Sequence, residues 1–487
     1  MSKVGIIGAG LSSLYAACYL AKNGHSVTVF EKNPMSGGRS QTFHAQGFTF
    51  DMGPSWYWMP QLIDKMFEDL GEKRTDYYHL ERLDPAYRVF WKDKSHTDIP
   101  ADKNALKTLF DSLESNGGKT LEKFLSDAKV KYDIATEDFL ELPGLKLTEL
   151  MQLKALKAAF KLDVFKSVEK DVHSRFDSDK ARSILNFPVL FLGALPGNIP
   201  SLYTLMNYAD FELGTWYPEN GMRDLAKALE EIARQEGVEF HFNANVEAIE
   251  AKEGKAEGIK VNGKLETFDK IVSGADYHFT EQKLLPQAYR RYNEDYWDKR
   301  KMAPSSLIFY LGFDKKIEGL DHHNLFFDED LNQHGAEIYT NPQWPSKPLF
   351  YACVPSKTDS KVAPEGKENV FILMPLAPDV EDTEEIREKY LSIILNRMES
   401  HLGTSLKDQI IYKRSFCISD FKSEYNSFKG NAYGLANTLN QTANLKPKMK
   451  SKLKGLYYCG QLTVPGPGIP PALISGKIAA NQIIQNS

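Results

Sequence analysis

The chain has 487 residues, enough for two or three structural domains around a large core. It carries 60 basic and 65 acidic side chains, a formal charge of −5, so no strong positive field attracts nucleic acid, and we expect no nucleic-acid partner. No apolar run approaches the roughly 18 residues of a membrane-spanning helix. The four cysteines show no C-x-x-C spacing, which favours free thiols in a cytoplasmic setting.

The first predicted elements form a β-α-β unit with a dinucleotide-binding pattern. An apolar strand runs into Gly8, which makes a tight turn, and Gly10, which lets the main chain approach a pyrophosphate. Leu11 and Ser12 then open a helix whose N–H groups face the phosphates. The second strand, Ser26–Phe30, is followed by Glu31, which is placed to accept hydrogen bonds from a ribose hydroxyl.

Ser13 stands where this pattern usually has a third glycine. Serine is small enough for close packing of helix against strand, so the pattern is weakened without being broken. Beyond the acid, Lys32 is followed by the pair Gly37-Gly38 and by Arg39, a forked donor for phosphate or ribose oxygens. An ordinary exposed turn is the alternative for this segment.

The middle of the chain alternates between helical and strand-like patterns. From about 120 to 215 the periodicity is helical. A second nucleotide-type region follows, in which Asn262-Gly263 is a hairpin dipeptide. The elements predicted there are a helix over Arg223–Gln235 and strands over Val238–Phe242, Val246–Ala251, Ala256–Val261 and Lys270–Ser273.

Two apolar runs, Ser305–Phe313 and Asn369–Met374, predict a second sheet. The chain closes with a short strand over 455–460 and a helix over Pro470–Ile484. Because nucleotide-type elements recur along the chain, we expect a discontinuous binding domain. The predicted division is 1–75, 217–295 and 425–487 for that domain, 76–125 and 296–424 for a substrate-binding sheet, and 126–216 for a helical insert.

Several of these motifs resemble a known family. The Gly37-Gly38-Arg39 run after the acid is similar to FAD-binding proteins of the amine oxidase and carotenoid desaturase group. The proline- and glycine-rich run from Gly460 to Lys477 resembles the signature of phytoene-type carotenoid desaturases. Weaker likenesses lie at Tyr217–Met222 and Ser273–Asp276. The resemblance implies a Rossmann-like α/β fold of the amine oxidase and glutathione reductase type, with a discontinuous α+β substrate domain and a helical, membrane-facing insert.

The resemblance implies FAD as the cofactor. The C-terminal run immediately precedes a helix, whose positive dipole end would face the flavin and stabilise its anionic reduced form. Val246 would pack on the adenine. The predicted cofactor residues are Gly8, Gly10, Leu11, Ser12, Ser13, Glu31, Lys32, Gly38, Arg39, Gly53, Pro54, Ser55, Val246, Asp276, Gly460, Gln461, Gly468, Ile469 and Pro470.

The implied activity is carotenoid desaturation, in which a hydride and a proton leave adjacent allylic carbons. The substrate is either an acyclic carotene of the phytoene type or a hydroxylated carotenoid that reacts at its 3,4 bond. Resemblance points to Glu149 as the base, and the alternative is an exposed acid at a helix end. The expected substrate-lining residues are Trp56, Trp58, Phe191 and Tyr433, although either tryptophan is equally compatible with a core aromatic plug.

Two other functions remain open. One is an amine or protoporphyrinogen-type oxidase with the same FAD fold, and the other is a flavin-binding carotenoid isomerase or carrier. The electron acceptor is oxygen or a quinone. His322-His323 invites a metal interpretation, but adjacent residues on a loop supply no compact ligand set, so no metal is predicted.

A carotene is nearly insoluble in water, so the enzyme must collect it from a membrane. Met151–Leu162 interleaves apolar residues with lysines, as an interfacial helix does, although a solvated helix with a core stripe shows the same pattern. Phe187–Leu195 is a second candidate for a docking surface or tunnel. The expected location is cytoplasmic, peripheral on the cytoplasmic membrane.

Overall fold

A computed structural model describes residues 1–139, 166–438, 441 and 445–486. Glu149 and the predicted interfacial helix Met151–Leu162 lie outside these residues. Within the described ranges, no helix is both long enough and apolar enough to cross a bilayer.

The strands and helices are numbered separately along the chain. The strands are β1 (Lys3–Ile7), β2 (Ser26–Phe30), β3 (Thr42–Ala45), β4 (Phe48–Asp51), β5 (Leu80–Arg82), β6 (Tyr87–Trp91), β7 (His96–Ile99), β8 (Trp216–Pro218), β9 (Glu239–His241), β10 (Val246–Lys252), β11 (Lys255–Val261), β12 (Lys264–Thr267), β13 (Lys270–Ser273), β14 (Ser305–Phe313), β15 (His323–Phe327), β16 (Phe350–Cys353), β17 (Glu368–Leu376), β18 (Ile410–Phe416) and β19 (Leu456–Tyr458). The helices are α1 (Leu11–Lys22), α2 (Pro60–Glu68), α3 (Lys103–Leu113), α4 (Gly117–Ile134), α5 (Val168–His173), α6 (Asp179–Asn186), α7 (Leu205–Phe211), α8 (Asp224–Gln235), α9 (Tyr277–Phe279), α10 (Glu294–Asp298), α11 (Leu331–Tyr339), α12 (Glu384–Leu402), α13 (Ile418–Tyr425) and α14 (Ile469–Ile484).

The first sheet is parallel, in the order β19-β13-β1-β2-β9. Its short strands β1, β2, β13 and β19 are largely buried on both faces, as parallel strands usually are, while the edge strand β9 is largely exposed. Helices α1, α8 and α14 pack together beside the sheet. Strand β1 has β2 on one side and β13 on the other, so the chain leaves β1 at a switch point of the sheet. Ligands of such sheets bind at this edge.

The second sheet is mixed, in the order β18-β14-β17-β16-β15-β6-β7. All nine residues of β14 are buried, because it pairs with β17 and β18 and is covered on both faces. Strand β6 joins the sheet by pairing parallel to β15, which brings the segment near residue 90 beside a segment near residue 325. The predicted strand Ser305–Phe313 is confirmed to the residue.

A three-stranded antiparallel meander, β10-β11-β12, stands beside the parallel sheet. Asn262 and Gly263 have φ values of +51° and +74°, so the predicted hairpin turn is confirmed, but it joins β11 to β12 and not two of the predicted strands. The strand that it leads into, β12, was not predicted, because all four of its residues are exposed and show no apolar alternation. The predicted helix at Arg223–Gln235 is confirmed, and begins one residue later.

Candidate active site

One continuous cavity of about 480 Å³ is lined by residues of both the parallel and the mixed sheet. One end is built from glycines, helix N-termini and a few charged side chains. The other end is built from aromatic and aliphatic side chains.

The glycine-rich end begins where β1 stops. Gly8 has a φ of +87°, which makes the sharp turn towards α1. Gly10 lines the cavity, and a Cβ placed on it would meet no atom within 4 Å, so the space over this residue is open. Gly10 also caps α1 without a side-chain hydrogen bond, and the first N–H groups of the helix open on that space.

Glu31 lies at the end of β2, next to the same turn. Its Oε2 accepts a hydrogen bond from the Ala9 backbone N–H at 2.7 Å, and its Oε1 accepts one from the Asn33 N–H at 2.9 Å. Burial raises the pKa of this carboxyl, and the backbone donors oppose that rise. Each oxygen keeps a second lone pair that can accept a hydrogen bond from a ligand hydroxyl.

Gly37 and Gly38 pass beside Gly10 with φ values of +110° and +56°. A Cβ on Gly38 would lie 3.1 Å from the Gly10 Cα, so only glycine permits this close approach. The next residue, Arg39, stacks its guanidinium on the Tyr425 ring at 5.2 Å and donates to Ser427 Oγ at 2.5 Å.

Arg39 is a partly buried cation whose hydrogen-bonding groups are only partly paired by the described residues. Its Nε is buried and has no hydrogen-bond partner among them. Burial lowers the pKa of the guanidinium, and the charge of Asp276 opposes this effect. Arg39 lines the cavity, so an anionic or hydroxyl-bearing ligand would supply the missing partner.

The C-terminal loop forms the facing wall. Gly460 and Gly468 have φ values of +103° and +114°, and Gly468 caps α14 without a side-chain hydrogen bond. Gly468, Ile469 and Ala472 line the cavity, so a second uncapped helix N-terminus opens on it. The arrangement favours negative charge near α14.

These features fit FAD. Two helix N-termini, a partly unsatisfied arginine and open space over Gly10 match a pyrophosphate and ribose. Val246 and Ala244 line the end of the cavity beside Glu31, and Gly460 and Ile469 line its other wall. The residues present can therefore hold a dinucleotide along the cavity.

The opposite end of the cavity is apolar. Trp56 and a 3-10 helix, Phe187–Leu192, lie together, with the Trp56 and Phe191 ring centroids 5.7 Å apart. Further wall residues come from β14, β15, α11, β16 with the residue before it, and the loop at Tyr433. They include Ile308, Leu325, Phe327, Leu331, Ile338, Tyr339, Leu349, Tyr351 and Tyr433.

Most of the predicted site residues line this one cavity. The residues placed in its wall are Gly8, Gly10, Leu11, Ser12, Glu31, Lys32, Gly38, Arg39, Gly53, Pro54, Ser55, Trp56, Phe191, Val246, Asp276, Tyr433, Gly460, Gln461, Gly468 and Ile469. Asp276 also caps α9 and accepts from the Phe428 N–H, so part of its role is structural.

Three predicted residues, Ser13, Trp58 and Pro470, do not line the cavity. Ser13 is fully buried in α1, and a Cβ on Gly274 would come within 2.0 Å of its Oγ, so Ser13 packs on the end of β13. Trp58 is buried behind Trp56 and donates its Nε1–H to Thr215 Oγ1 at 2.8 Å. Pro470 occupies the first turn of α14, where a missing N–H costs no intrahelical bond.

Helix α11 and strand β16 also contribute to the cavity wall, which was not predicted from the sequence. His334, Tyr339 and Tyr351 reach its wall from these elements. Their local sequences show no motif, since they meet the site only through the pairing of β15, β16 and β17. No spacing pattern links them to the N-terminal glycine motifs more than 250 residues away.

A polar cluster lies behind the apolar wall. His323 stacks on Trp56 with ring centroids 4.0 Å apart, and its Nδ1 lies 2.6 Å from the Tyr351 hydroxyl. The Tyr351 hydroxyl also donates to Ser55 Oγ at 3.1 Å. Burial lowers the pKa of His323 well below its usual range, so the ring stays neutral.

The two adjacent histidines lie in a compact group with a cysteine. The structure brings the Cys353 Sγ and nitrogens of both His322 and His323 within 4.8 Å of one another, so the expectation of no compact grouping was wrong. The His322 Nδ1 lies 2.7 Å from Thr358 Oγ1, a protein partner for that nitrogen. The absence of a metal stays a prediction.

A small void of about 10 Å³ separates this cluster from Asp51. Its wall includes Asp51, Ser55, Tyr217 and Cys353. Asp51 Oδ2 accepts from the Met222 N–H at 2.9 Å, while Asp51 Oδ1 and the Tyr217 hydroxyl are buried without a hydrogen-bond partner among the described residues. Burial raises the pKa of Asp51 to about 7.

Comparison with known proteins places the chain among flavoproteins. The family model described as flavin containing amine oxidoreductase matches residues 9–484. A carotenoid 3,4-desaturase from Haloarcula japonica is 38% identical over 485 residues, which cover 99% of this chain and 98% of that protein. A 4,4'-diapophytoene desaturase (4,4'-diaponeurosporene-forming) from Staphylococcus haemolyticus is 30% identical, with 99% of each chain covered.

Solved structures share the fold. An oxidoreductase from Methanosarcina mazei superposes with a TM-score of 0.63 at 16% identity, covering 99% of this chain and 100% of that one. A wild-type putrescine oxidase bound to putrescine gives a TM-score of 0.61 at 15% identity, with 99% of each chain covered. At these identities the likeness establishes an amine-oxidase-type α/β fold, and the expected fold class is confirmed at that level.

Proposed function

Because this chain belongs to the flavin-containing amine oxidoreductase family, we propose that it is an FAD-dependent carotenoid desaturase. The observation that carries the proposal is the single cavity that joins a dinucleotide-type site to an apolar chamber. An elongated hydrocarbon can enter such a chamber and place one of its C–C bonds beside the cofactor.

The division of labour in the cavity follows from its walls. When bound, FAD supplies the hydride acceptor for the reaction. Gly8, Gly10 and the N-termini of α1 and α14 hold the cofactor through backbone groups. Trp56, Phe191 and their neighbours exclude water and align the polyene by contact with its apolar surface. No strong charge is needed on the substrate side of the site.

The relatives support a choice between the two proposed carotenoid classes. The relative named a carotenoid 3,4-desaturase is 38% identical, against 30% for the one named a diapophytoene desaturase. This difference favours a hydroxylated carotenoid that reacts at its 3,4 bond, with an acyclic carotene of the phytoene type as the second candidate. The likeness to putrescine oxidase extends only to the fold, at 15% identity.

The proposal also covers where the enzyme works and which molecule accepts its electrons. A carotenoid partitions into lipid, so the enzyme is proposed to work as a peripheral protein on the cytoplasmic membrane and to pass its electrons to oxygen or a quinone. The proposed contacts are Met151–Leu162, outside the described residues, and Phe187–Leu195. Part of the second segment lines the cavity, which supports a role in substrate entry.

Anaerobic titration of the FAD-loaded enzyme tests the function. The two arms use phosphatidylcholine vesicles that carry either a phytoene-type carotene or a hydroxylated carotenoid. We expect bleaching of the flavin and a product two hydrogens lighter by mass, with a longer-wavelength absorption, in the hydroxylated arm. Bleaching by phytoene alone would move the proposal to the acyclic class, and no bleaching in either arm would reject desaturation. Sedimentation with empty vesicles tests the membrane contact separately.

A further inference from the structure

We propose that Asp51 is the final acceptor of the proton that leaves the substrate, reached through Ser55 and one water molecule in the small void between them. The inference rests on the proposed desaturase function and names a proton path within that site. It places the acceptor on β4, at the end of the segment that leads into the cavity wall, and not at Glu149.

Ser55 connects the two spaces. It lines the main cavity and also lines the small void, so this residue lies between the two spaces. Tyr351 donates its hydroxyl hydrogen to Ser55 Oγ at 3.1 Å. Since a serine hydroxyl accepts and donates at the same time, its own hydrogen can point into the void.

The void suits one water molecule. Its volume of about 10 Å³ is at the lower limit for a single water, and a buried water requires two or more polar partners. Asp51 Oδ1 and the Tyr217 hydroxyl are buried, unpaired among the described residues, and belong to residues of its wall. Together with Ser55 Oγ these atoms give a water three polar partners. A water in the void would also explain why two polar atoms are buried there without a protein partner.

The proton moves from the substrate carbon to Asp51 in three linked transfers. The C–H bond next to the carbon that loses hydride breaks, and its electron pair becomes the π bond of the new alkene. Ser55 Oγ takes that proton as its own hydrogen passes to the water, and the water gives a hydrogen to Asp51 Oδ1. The other electron pair leaves with the hydride to the oxidised flavin. Asp51 ends as a neutral carboxylic acid.

The surroundings of Asp51 suit it to this role. Burial is the main cause of its raised pKa, and the charge of Asp224 raises it further. The N–H groups of Met222 and Arg223, which lie just before α8, and the charge of Lys227 act in the opposite direction. At neutral pH the group therefore stands near its midpoint, where a carboxylate accepts a proton more readily than an exposed one does.

The titratable groups in and near the wall of the void do not compete for the proton. Burial lowers the pKa of His322 to about 3 and that of His323 well below its usual range, so neither imidazole charges at neutral pH. Burial raises the pKa of Tyr217 far above its ordinary value and that of Cys353 to about 12, so both stay protonated. Among the groups that face the void, Asp51 is therefore the proton acceptor.

Stopped-flow reduction of the FAD-loaded enzyme, without oxygen and with either carotenoid in phosphatidylcholine vesicles, tests this path. In Asp51→Asn we expect flavin bleaching to slow by about 100-fold or more, the usual contribution of a general base. The wild-type rate should rise with pH about a midpoint near 7, because the acceptor must be ionised, and this dependence should vanish in the variant. Ser55→Ala should slow flavin bleaching while the enzyme retains its bound FAD.

Asp210→Asn is the matched control. Asp210 is also buried, with a pKa raised by burial to about 7, yet it lines neither the cavity nor the void. It should bleach at the wild-type rate and keep the wild-type pH profile. Wild-type rates in Asp51→Asn, or a loss confined to Glu149→Gln, would overturn the path. If Asp51→Asn does not retain FAD, a wild-type rate and pH profile in Ser55→Ala overturns it instead. Failure of the wild-type enzyme to bleach rejects the proposed function first.

Discussion

The two ends of the cavity are built in different ways. At the glycine-rich end the wall is mainly backbone, because Gly8, Gly10 and Gly468 leave main-chain N–H groups and open space beside two uncapped helices. At the apolar end the wall is side chain, with Trp56, Phe191 and residues from several strands in contact. The first end recognises charge and hydrogen bonding, and the second recognises shape and hydrophobicity.

This difference predicts how each end fails. Adding a side chain at a backbone-lined position occupies space that the cofactor needs, even where the protein itself tolerates the change. Removing a side chain from the apolar wall leaves the cofactor site intact and alters substrate contact instead.

Gly10→Val should remove FAD. The backbone of Gly10 is extended, with a φ of −73°, and a Cβ there meets no protein atom, so the fold should tolerate valine while its methyl groups occupy the open space. We expect FAD absorbance below about a tenth of the wild-type value after purification, and no desaturation. Gly254→Val, at a turn with a φ of +76° outside the cavity wall, is the control; it costs about 1–2 kcal/mol in backbone strain and should retain FAD. Full flavin content in Gly10→Val would contradict this account.

Trp56 and Trp58 should separate substrate contact from stability. Trp56→Leu opens the chamber wall, and we expect kcat/KM to fall by about tenfold, or 1.4 kcal/mol, with FAD content unchanged. Trp58→Leu loses buried packing and the bond to Thr215, so its free energy of unfolding should fall by about 3 kcal/mol while KM changes little. Michaelis kinetics and thermal unfolding measure the two effects. A KM change larger in Trp58→Leu would show that Trp58 also contacts substrate.

Ser13 tests whether the glycine-rich end depends on helix packing. Leucine at this site would overlap the backbone of Gly274, so Ser13→Leu should cost about 1–3 kcal/mol and weaken FAD retention by moving α1. Ser13→Gly restores the usual residue and should keep both FAD and stability close to the wild type. Normal FAD content in Ser13→Leu would show that the spacing of α1 and β13 does not control the cofactor site.

Asp210 behind the apolar end should make stability depend on pH. Its pKa is raised from 3.8 to about 7 by burial, so between these values the folded protein binds more protons than the unfolded chain and stability falls as pH rises. Asp210→Asn should flatten the melting temperature between about pH 4 and 7. Asp93→Asn is the control, since Ser95 and Lys180 lower the pKa of this exposed carboxyl. An unchanged slope in Asp210→Asn would contradict the raised pKa.

The secondary-structure elements predicted correctly are those whose sequences carry a local residue pattern. The strands Ser26–Phe30 and Lys270–Ser273 are confirmed to the residue, and the C-terminal helix begins one residue before the predicted Pro470. The two strands are short apolar runs bounded by a glycine or a charged residue, and the helix follows a glycine and begins with prolines. These local signals predict the elements without knowledge of the fold. The exposed strand β12 carried no such pattern and was missed.

For the candidate site, sequence placed the glycine motifs because backbone contacts require particular residues at particular spacings. It assigned Ser13 and Trp58 to ligand contact, whereas the structure packs both away from the cavity. Side-chain direction caused the second difference, since Trp56 and Trp58 are two residues apart and packing of the whole molecule decided which of them faces the ligand.

The sequence by itself determined the β-α-β unit, the flavin-type motifs and the family, since these depend on local spacing and on residues whose backbone properties are special. Only the tertiary structure decided that Ser55, Tyr351 and Asp51 meet, because they reach one place through pairing of distant strands and through burial. The same burial decided the pKa values of Asp51 and His323, which depend on the surrounding protein and not on the residue type.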